Sequence, residues 1–96
     1  MAAYVIVDVE VQDPDAYREY QQQTPDTLLP YGGKFVVRGG RVETLEGQWQ
    51  PKRVVMLEFP TVDQAKAWHA SEAYQAIIPI RQRNAKTNFL TVVEGV

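Results

Sequence analysis

The chain has 96 residues, 45% hydrophobic and 23% charged, which fits one globular domain over 1–96 and excludes extended disorder, collagen-like repeats and low complexity. A formal net charge of −2 gives no pull toward nucleic-acid phosphates or anionic lipid, and no apolar run reaches the roughly 20 residues a bilayer span needs, so neither partner is expected. With no cysteine and one histidine, thiolate metal sites, cysteine nucleophiles and multi-histidine metal centres are excluded within one chain, and no cofactor is expected.

The opening MAAYVIVDVEV places Asp8 and Glu10 where a secretory leader would be apolar, which points to the cytoplasm. Tyr4 to Val11 is rich in β-branched residues and predicts a first strand, after which Asp13-Pro14 supplies an N-cap and a proline at the first helical position. Tyr17, Tyr20, Thr24, Leu28 and Tyr31 recur at helical spacing on one face. Pro25 lacks an amide and predicts a kink, or a restart capped by Thr24. Pro30 and Gly32-Gly33 end the helix, and Lys34 to Leu45 reads as a second strand with a bulge or close backbone approach at Gly39-Gly40.

Gly47 suits a hairpin loop ahead of a third strand, Pro51 to Phe59. Thr61 and Gln64 have capping-box spacing and open a helix carrying Val62, Ala65, Trp68 and His69. Ser71 caps a fresh segment from Glu72 to about Ala85, bent at Pro79, and Thr87 to Val93 closes the chain as a fourth strand. The order β-α-β-β-α-β is the split βαβ pattern of an α+β, ferredoxin-like domain: a four-stranded antiparallel sheet with helices on one face. Val5, Val7 and Val9 are apolar on one parity and Tyr4 and Ile6 on the other, and later strands repeat this. Two helices cover one face only, so a second copy packed sheet against sheet is expected, a homodimer.

The stretches AYVIVDVEVQDPDAYREY, YGGKFVVRGG and WQPKRVVMLEFPTVDQAKAWHASEAYQ resemble the uncharacterised, mainly bacterial domain-of-unknown-function family thirteen-thirty, within the dimeric α/β-barrel superfamily. The resemblance runs from Ala3 to Val93, and Arg38-Gly39-Gly40, Pro51-x-Arg53, Glu58-Phe59-Pro60 and Trp68-x-x-Ser71-x-x-Tyr74 are its more specific parts. It implies a ferredoxin-like protomer whose sheet pairs with another into a barrel. Superfamily relatives include cofactor-independent monooxygenases, muconolactone isomerases and haem-dependent chlorite dismutases, so the resemblance assigns no single activity.

A hairpin centred on Gln48 sets Arg38 opposite Glu58 as a cross-strand ion pair. Two readings stand: the pair holds register, or Arg38 presents its guanidinium to an anionic ligand with Glu58 orienting it or acting as a base. Asp8 shares the parity of Tyr4 and is read as a solvated strand end or a second acid; Arg53, of opposite parity to Glu58, shares a cavity with it only if the third strand bulges. His69 alone titrates near neutrality and is the natural proton shuttle, or else an ordinary helix histidine. Tyr20, Trp68 and Tyr74 are candidate walls of a cavity for a flat ligand, or core, and a buried tyrosine hydroxyl needs a partner that a ligand can supply. Trp49 in the loop suggests a dimer contact, and Arg81, Arg83 and Lys86 read as a solvated basic face. The function expected is binding or cofactor-independent conversion, monooxygenase-like or isomerase-like, of a small acidic or aromatic metabolite; a noncatalytic dimeric binding module is the alternative.

Overall fold

In the computed structural model, which describes residues 1–96, the elements run β1 (Ala3–Val11), α1 (Pro14–Leu28), β2 (Lys34–Arg38), β3 (Arg53–Phe59), α2 (Val62–Ala70), α3 (Glu72–Asn84) and β4 (Ala85–Glu94), with a 3₁₀ turn at Leu29–Tyr31. Each helix starts where a short polar side chain accepts an orphan amide. Asp13 Oδ1 accepts from Ala16 N at 3.1 Å, Thr61 Oγ1 from Gln64 N at 3.1 Å, and Ser71 Oγ from Tyr74 N at 3.3 Å. The sheet order is β2-β3-β1-β4 with every neighbouring pair antiparallel, the ferredoxin-like arrangement. No helix is long and apolar enough to cross a membrane.

Helices α1, α2 and α3 cover the face that carries Val5, Val7, Val9, Leu57 and Phe59, and with Tyr17, Tyr20, Leu28, Trp68, Tyr74, Ile77 and Ile78 these side chains form one core. Pro25 neither ends nor restarts α1. The carbonyl its missing amide leaves free, that of Gln21, accepts instead from Arg38 Nη2 at 2.9 Å, so a donor from the end of β2 replaces the one proline lacks. Thr24 is not a cap; its hydroxyl donates back to the Tyr20 carbonyl at 2.6 Å.

Strand β2 ends at Arg38 rather than at Leu45, and 39–52 is irregular. Gly39 stops it by taking φ +73°, while its amide donates to the Val54 carbonyl at 2.9 Å. The expected Arg38–Glu58 pair does not form. Lys34 stands opposite Glu58 and Arg38 opposite Val55, the strands being offset from a symmetric hairpin, with a further register shift between Phe35 and Val37. One inserted residue turns every later side chain to the other sheet face, so Arg38 joins Phe35 on the helix-covered side. Glu58 stays on the outer face, paired with Lys34 Nζ at 3.3 Å.

That outer face carries Tyr4, Ile6, Val54, Met56, Phe89 and Val93. The loop places Trp49 on it, whose Nε1 donates to Asp8 Oδ2 at 2.9 Å and whose ring lies 6.2 Å from that of Phe89. Asp8 is therefore buried, not a solvated strand end, and its Oδ1 has no partner. Phe89, Val93 and Trp49 remain partly exposed there.

A Cβ at Gly39 would overlap the Arg53 guanidinium, whereas one at Gly40 meets nothing within 4 Å. Gly39→Ala is expected to lower stability by about 1–2 kcal/mol, from the left-handed backbone alone, and Gly40→Ala to leave it near wild type; denaturant midpoints of the two variants check this.

Candidate functional site

Between the helix-covered sheet face and the layer of α1, α2 and α3 lies a cleft with apolar walls of Val7, Phe35, Val55, Leu57 and Trp68. Its polar lining is Arg38, Arg53, Tyr17, Tyr20, Gln21, Thr24 and Tyr74, with no carboxylate. The space open to the centre of a water molecule is about 30 Å³, room for about two waters. Arg38 is the exposed one of the cleft's two arginines.

Each polar group is held from a distant segment. The Arg38 guanidinium carbon stands 4.1 Å over the Phe35 ring, a cation–π contact, while its Nη2 is fixed by the Gln21 carbonyl. Arg53 lies beside Tyr17, and its buried Nε has no partner. Tyr20 and Tyr74 hydroxyls meet at 2.7 Å, so the buried phenols partner each other. Trp68 stacks on Tyr74 at 4.0 Å between ring centroids and donates Nε1 to Thr27 Oγ1 at 3.0 Å.

Five of the seven residues singled out from sequence thus line one cleft: Arg38, Arg53, Tyr20, Trp68 and Tyr74. Two do not. Glu58 faces the opposite side of the sheet. His69 lines a neighbouring groove of about 230 Å³ between α2 and the β1–β4 side of the sheet, with Lys66, Leu90 and Val92, its ring 5.7 Å from that of Tyr74. No group of three or more His, Asp or Glu is placed to hold a metal ion.

The sequence reading missed Arg81, which is buried at 6% exposure rather than part of a solvated basic face; Arg83 and Lys86 are exposed. Its Nη1 donates to the Tyr74 hydroxyl at 3.1 Å. The signal was present: Tyr74, Ile77, Ile78 and Arg81 fall at i, i+3, i+4 and i+7, one helical stripe, and all four are buried.

Burial, followed by the neighbouring Tyr20, pushes the Tyr17 phenol up to about 12, although Arg53 and Arg81 pull it down. Burial raises Tyr74 as well. Tyr17 and Tyr74 therefore remain protonated across neutral pH. Burial, with Arg81 adding repulsion, lowers the His69 pKa from 6.5.

Fold and cleft together define a ferredoxin-like α+β domain whose arginine- and tyrosine-lined cleft between sheet and helices holds no carboxylate. The chain belongs to the family described as Domain of unknown function (DUF1330), which it matches over residues 2–96. Among solved structures it is similar to RPA0582 from Rhodopseudomonas palustris, a protein of unknown function, at 19% identity and TM-score 0.69 over 99% of this chain and 82% of that one. It is also similar to SnoaB, a cofactor-independent oxygenase from Streptomyces nogalater, at 10% identity and TM-score 0.66 over 99% and 93%. A dimeric ferredoxin-like protein of unknown function from Jannaschia sp. CCS1 is similar at 14% identity and TM-score 0.66 over 99% and 100%. Among curated proteins none matches.

The shifted groups make stability depend on pH at both ends. The His69 contribution is complete above pH 6.5 and lost as pH falls through the lowered folded value, because the unfolded chain then binds the extra proton. The Tyr17 contribution is complete below pH 10.0 and lost as pH rises toward about 12. Denaturant midpoints measured across pH are expected to fall on both sides, with His69→Gln flattening the acid limb and Tyr17→Phe reducing the alkaline one.

Proposed function

We propose that the protein binds a small acidic or aromatic metabolite in the cleft between sheet and helices and acts on it as a cofactor-independent enzyme. The observation that carries this reading is the lining: two guanidinium groups and three phenols, with no carboxylate, on an otherwise apolar wall. Such a lining favours an anionic head on a flat apolar body. Arg38 anchors the anion, Arg53 supplies a second cation, and Tyr20, Trp68 and Tyr74 form the wall. His69, one ring behind Tyr74, is the group placed to exchange protons with the site, while Glu58 is assigned to the Lys34 ion pair. The oxygenase among the similar folds supports monooxygenase-like chemistry by analogy, and isomerase-like chemistry fits the same site. A noncatalytic binding module is the second reading, favoured because neither acid nor histidine lines the cleft itself.

We place the protein in the cytoplasm as a homodimer. The support for the dimer is the apolar outer face with its partly exposed Trp49, Phe89 and Val93, and the dimeric state of one similar fold. Sedimentation at micromolar concentration is expected to give twice the chain mass; a folded monomer would leave that face needing another cover.

Arg38→Ala tests the site itself. The side chain is exposed and makes one backbone hydrogen bond and a cation–π contact with Phe35, so its loss is expected to cost about 1–2 kcal/mol of stability. Benzoate affinity, by calorimetric titration, is expected to fall roughly 10- to 100-fold, the range for a hydrogen bond to a charged group. Unchanged benzoate binding with a large stability loss would make Arg38 structural. Turnover of any substrate in an aerobic panel of small acids and phenols would favour the enzyme over the module.

A further inference from the structure

Arg81 is a buried cation without an anion. It is 6% exposed, its Nε has no partner, and it belongs to none of the chain's three ion pairs. Burying a guanidinium unpaired is costly, and replacing such a group by an apolar side chain of similar size is often neutral or stabilising. The fold therefore gains little from Arg81, whose charge reaches Tyr17 and His69 through space but which hydrogen-bonds one group only. That group is the Tyr74 hydroxyl, 3.1 Å from Nη1, which meets the Tyr20 hydroxyl at 2.7 Å.

A guanidinium only donates, and each phenol has one proton. With Arg81 donating to Tyr74 Oη, the sequence of donors that adds up along the chain is Arg81 to Tyr74 to Tyr20, each bond polarising the next. The proton of Tyr20 is then the free end. Tyr20 has no other hydroxyl partner in the protein, and both phenols line the cleft. Tyr20 lines the same cleft as Arg38 and Arg53, which is the space its free O–H would serve, and the Thr24 hydroxyl, donating to the Tyr20 carbonyl, fixes the backbone beneath it.

We propose that Arg81 is a positioning residue that never touches the ligand and that directs the Tyr74–Tyr20 hydrogen-bond chain, so that the cleft presents a polarised phenolic O–H and selects an oxyanion, an ionised phenol or enol, over its neutral form. This deepens the reading of the cleft as an acidic-ligand site and rests on it. Arg38 supplies attraction for any anion, a carboxylate included; the Tyr20 donor adds preference for a single charged oxygen on a flat ring, because one O–H satisfies one oxygen lone pair.

The probe is 4-nitrophenol, whose ionised form is read by visible absorbance, with 4-nitroanisole as the uncharged analogue of similar shape. Wild-type protein is expected to bind the phenolate better than the phenol and so to lower the ionisation pKa of the bound probe. Tyr20→Phe and Arg81→Met are each expected to weaken phenolate binding by about tenfold or more, the loss expected for a charge-assisted hydrogen bond, and to abolish that pKa lowering. Anisole affinity is expected to stay unchanged, and Arg81→Met to melt at or above the wild-type temperature. If Arg81→Met does not fold, Tyr74→Phe cuts the same chain from its other side, keeping the cation but removing its one hydrogen bond, and the same loss of phenolate preference is expected. Phenolate preference surviving in Arg81→Met or in Tyr74→Phe would overturn the inference while leaving the cleft as a binding site. Equal loss of phenolate and anisole binding together with a lower melting temperature would make Arg81 merely structural. Wild-type protein that binds neither probe would overturn the acidic-ligand reading itself and this inference with it.

Discussion

Aromatic side chains with polar tips fill the helix layer, and burial obliges each tip to find a partner inside the protein. Tyr20 from α1 finds Tyr74 from α3, Trp68 from α2 finds Thr27 from α1, and Arg81 completes the Tyr74 contact. The first two bonds join residues more than 40 positions apart, and they fix the helices at one separation above the sheet. A layer held only by aliphatic contacts would tolerate sliding; one held by directional bonds between rings does not. The cleft is a by-product of that fixed spacing, the space left where the rings do not reach the valines of β1 and β3.

The sheet contributes its part through one irregularity. The shift between Phe35 and Val37 turns Arg38 from the outer face to the helix-covered one. Pro25 then gives it an anchor, since a helix with an amide at that position would have kept the Gln21 carbonyl for itself. Two residues that each depart from regular secondary structure, one in a strand and one in a helix, thus combine into a single positioned cation. Departures from regularity of this kind concentrate at functional sites.

The element order, the caps at Asp13, Thr61 and Ser71, and the two-sided apolar strands were legible in the sequence because they depend on neighbours a few residues away. The register of β2 was not. Placing Arg38 opposite Glu58 assumed a symmetric hairpin, whereas the strand stops at Gly39 and an irregular loop of 39–52 precedes β3, a geometry set by tertiary contact with Val54 and Arg53. The same loop folds back and buries Asp8 under Trp49, which strand parity alone does not reveal. Arg81 escaped for another reason: an arginine among arginines reads as surface by composition, although its helical stripe with Tyr74 and Ile77 argued for burial. Within the candidate site, the five residues that converge were recognisable as types, but Arg38 joins the other four only because of the bulge.

Arg38 is clamped on two sides, its plane lying over Phe35 and one nitrogen held by the Gln21 carbonyl. A free arginine loses rotamer entropy when a ligand immobilises it, on the order of 0.5–1.5 kcal/mol for a long flexible side chain. Here that loss is borne when the chain folds, and four of the five guanidinium N–H donors are left for an incoming group. An anion arriving at the mouth therefore meets a rigid fork at a solvent-exposed position, where arginines are ordinarily mobile. Association at this cleft should accordingly carry a smaller entropic penalty than its surface location suggests, with the proline in α1 as the distant cause.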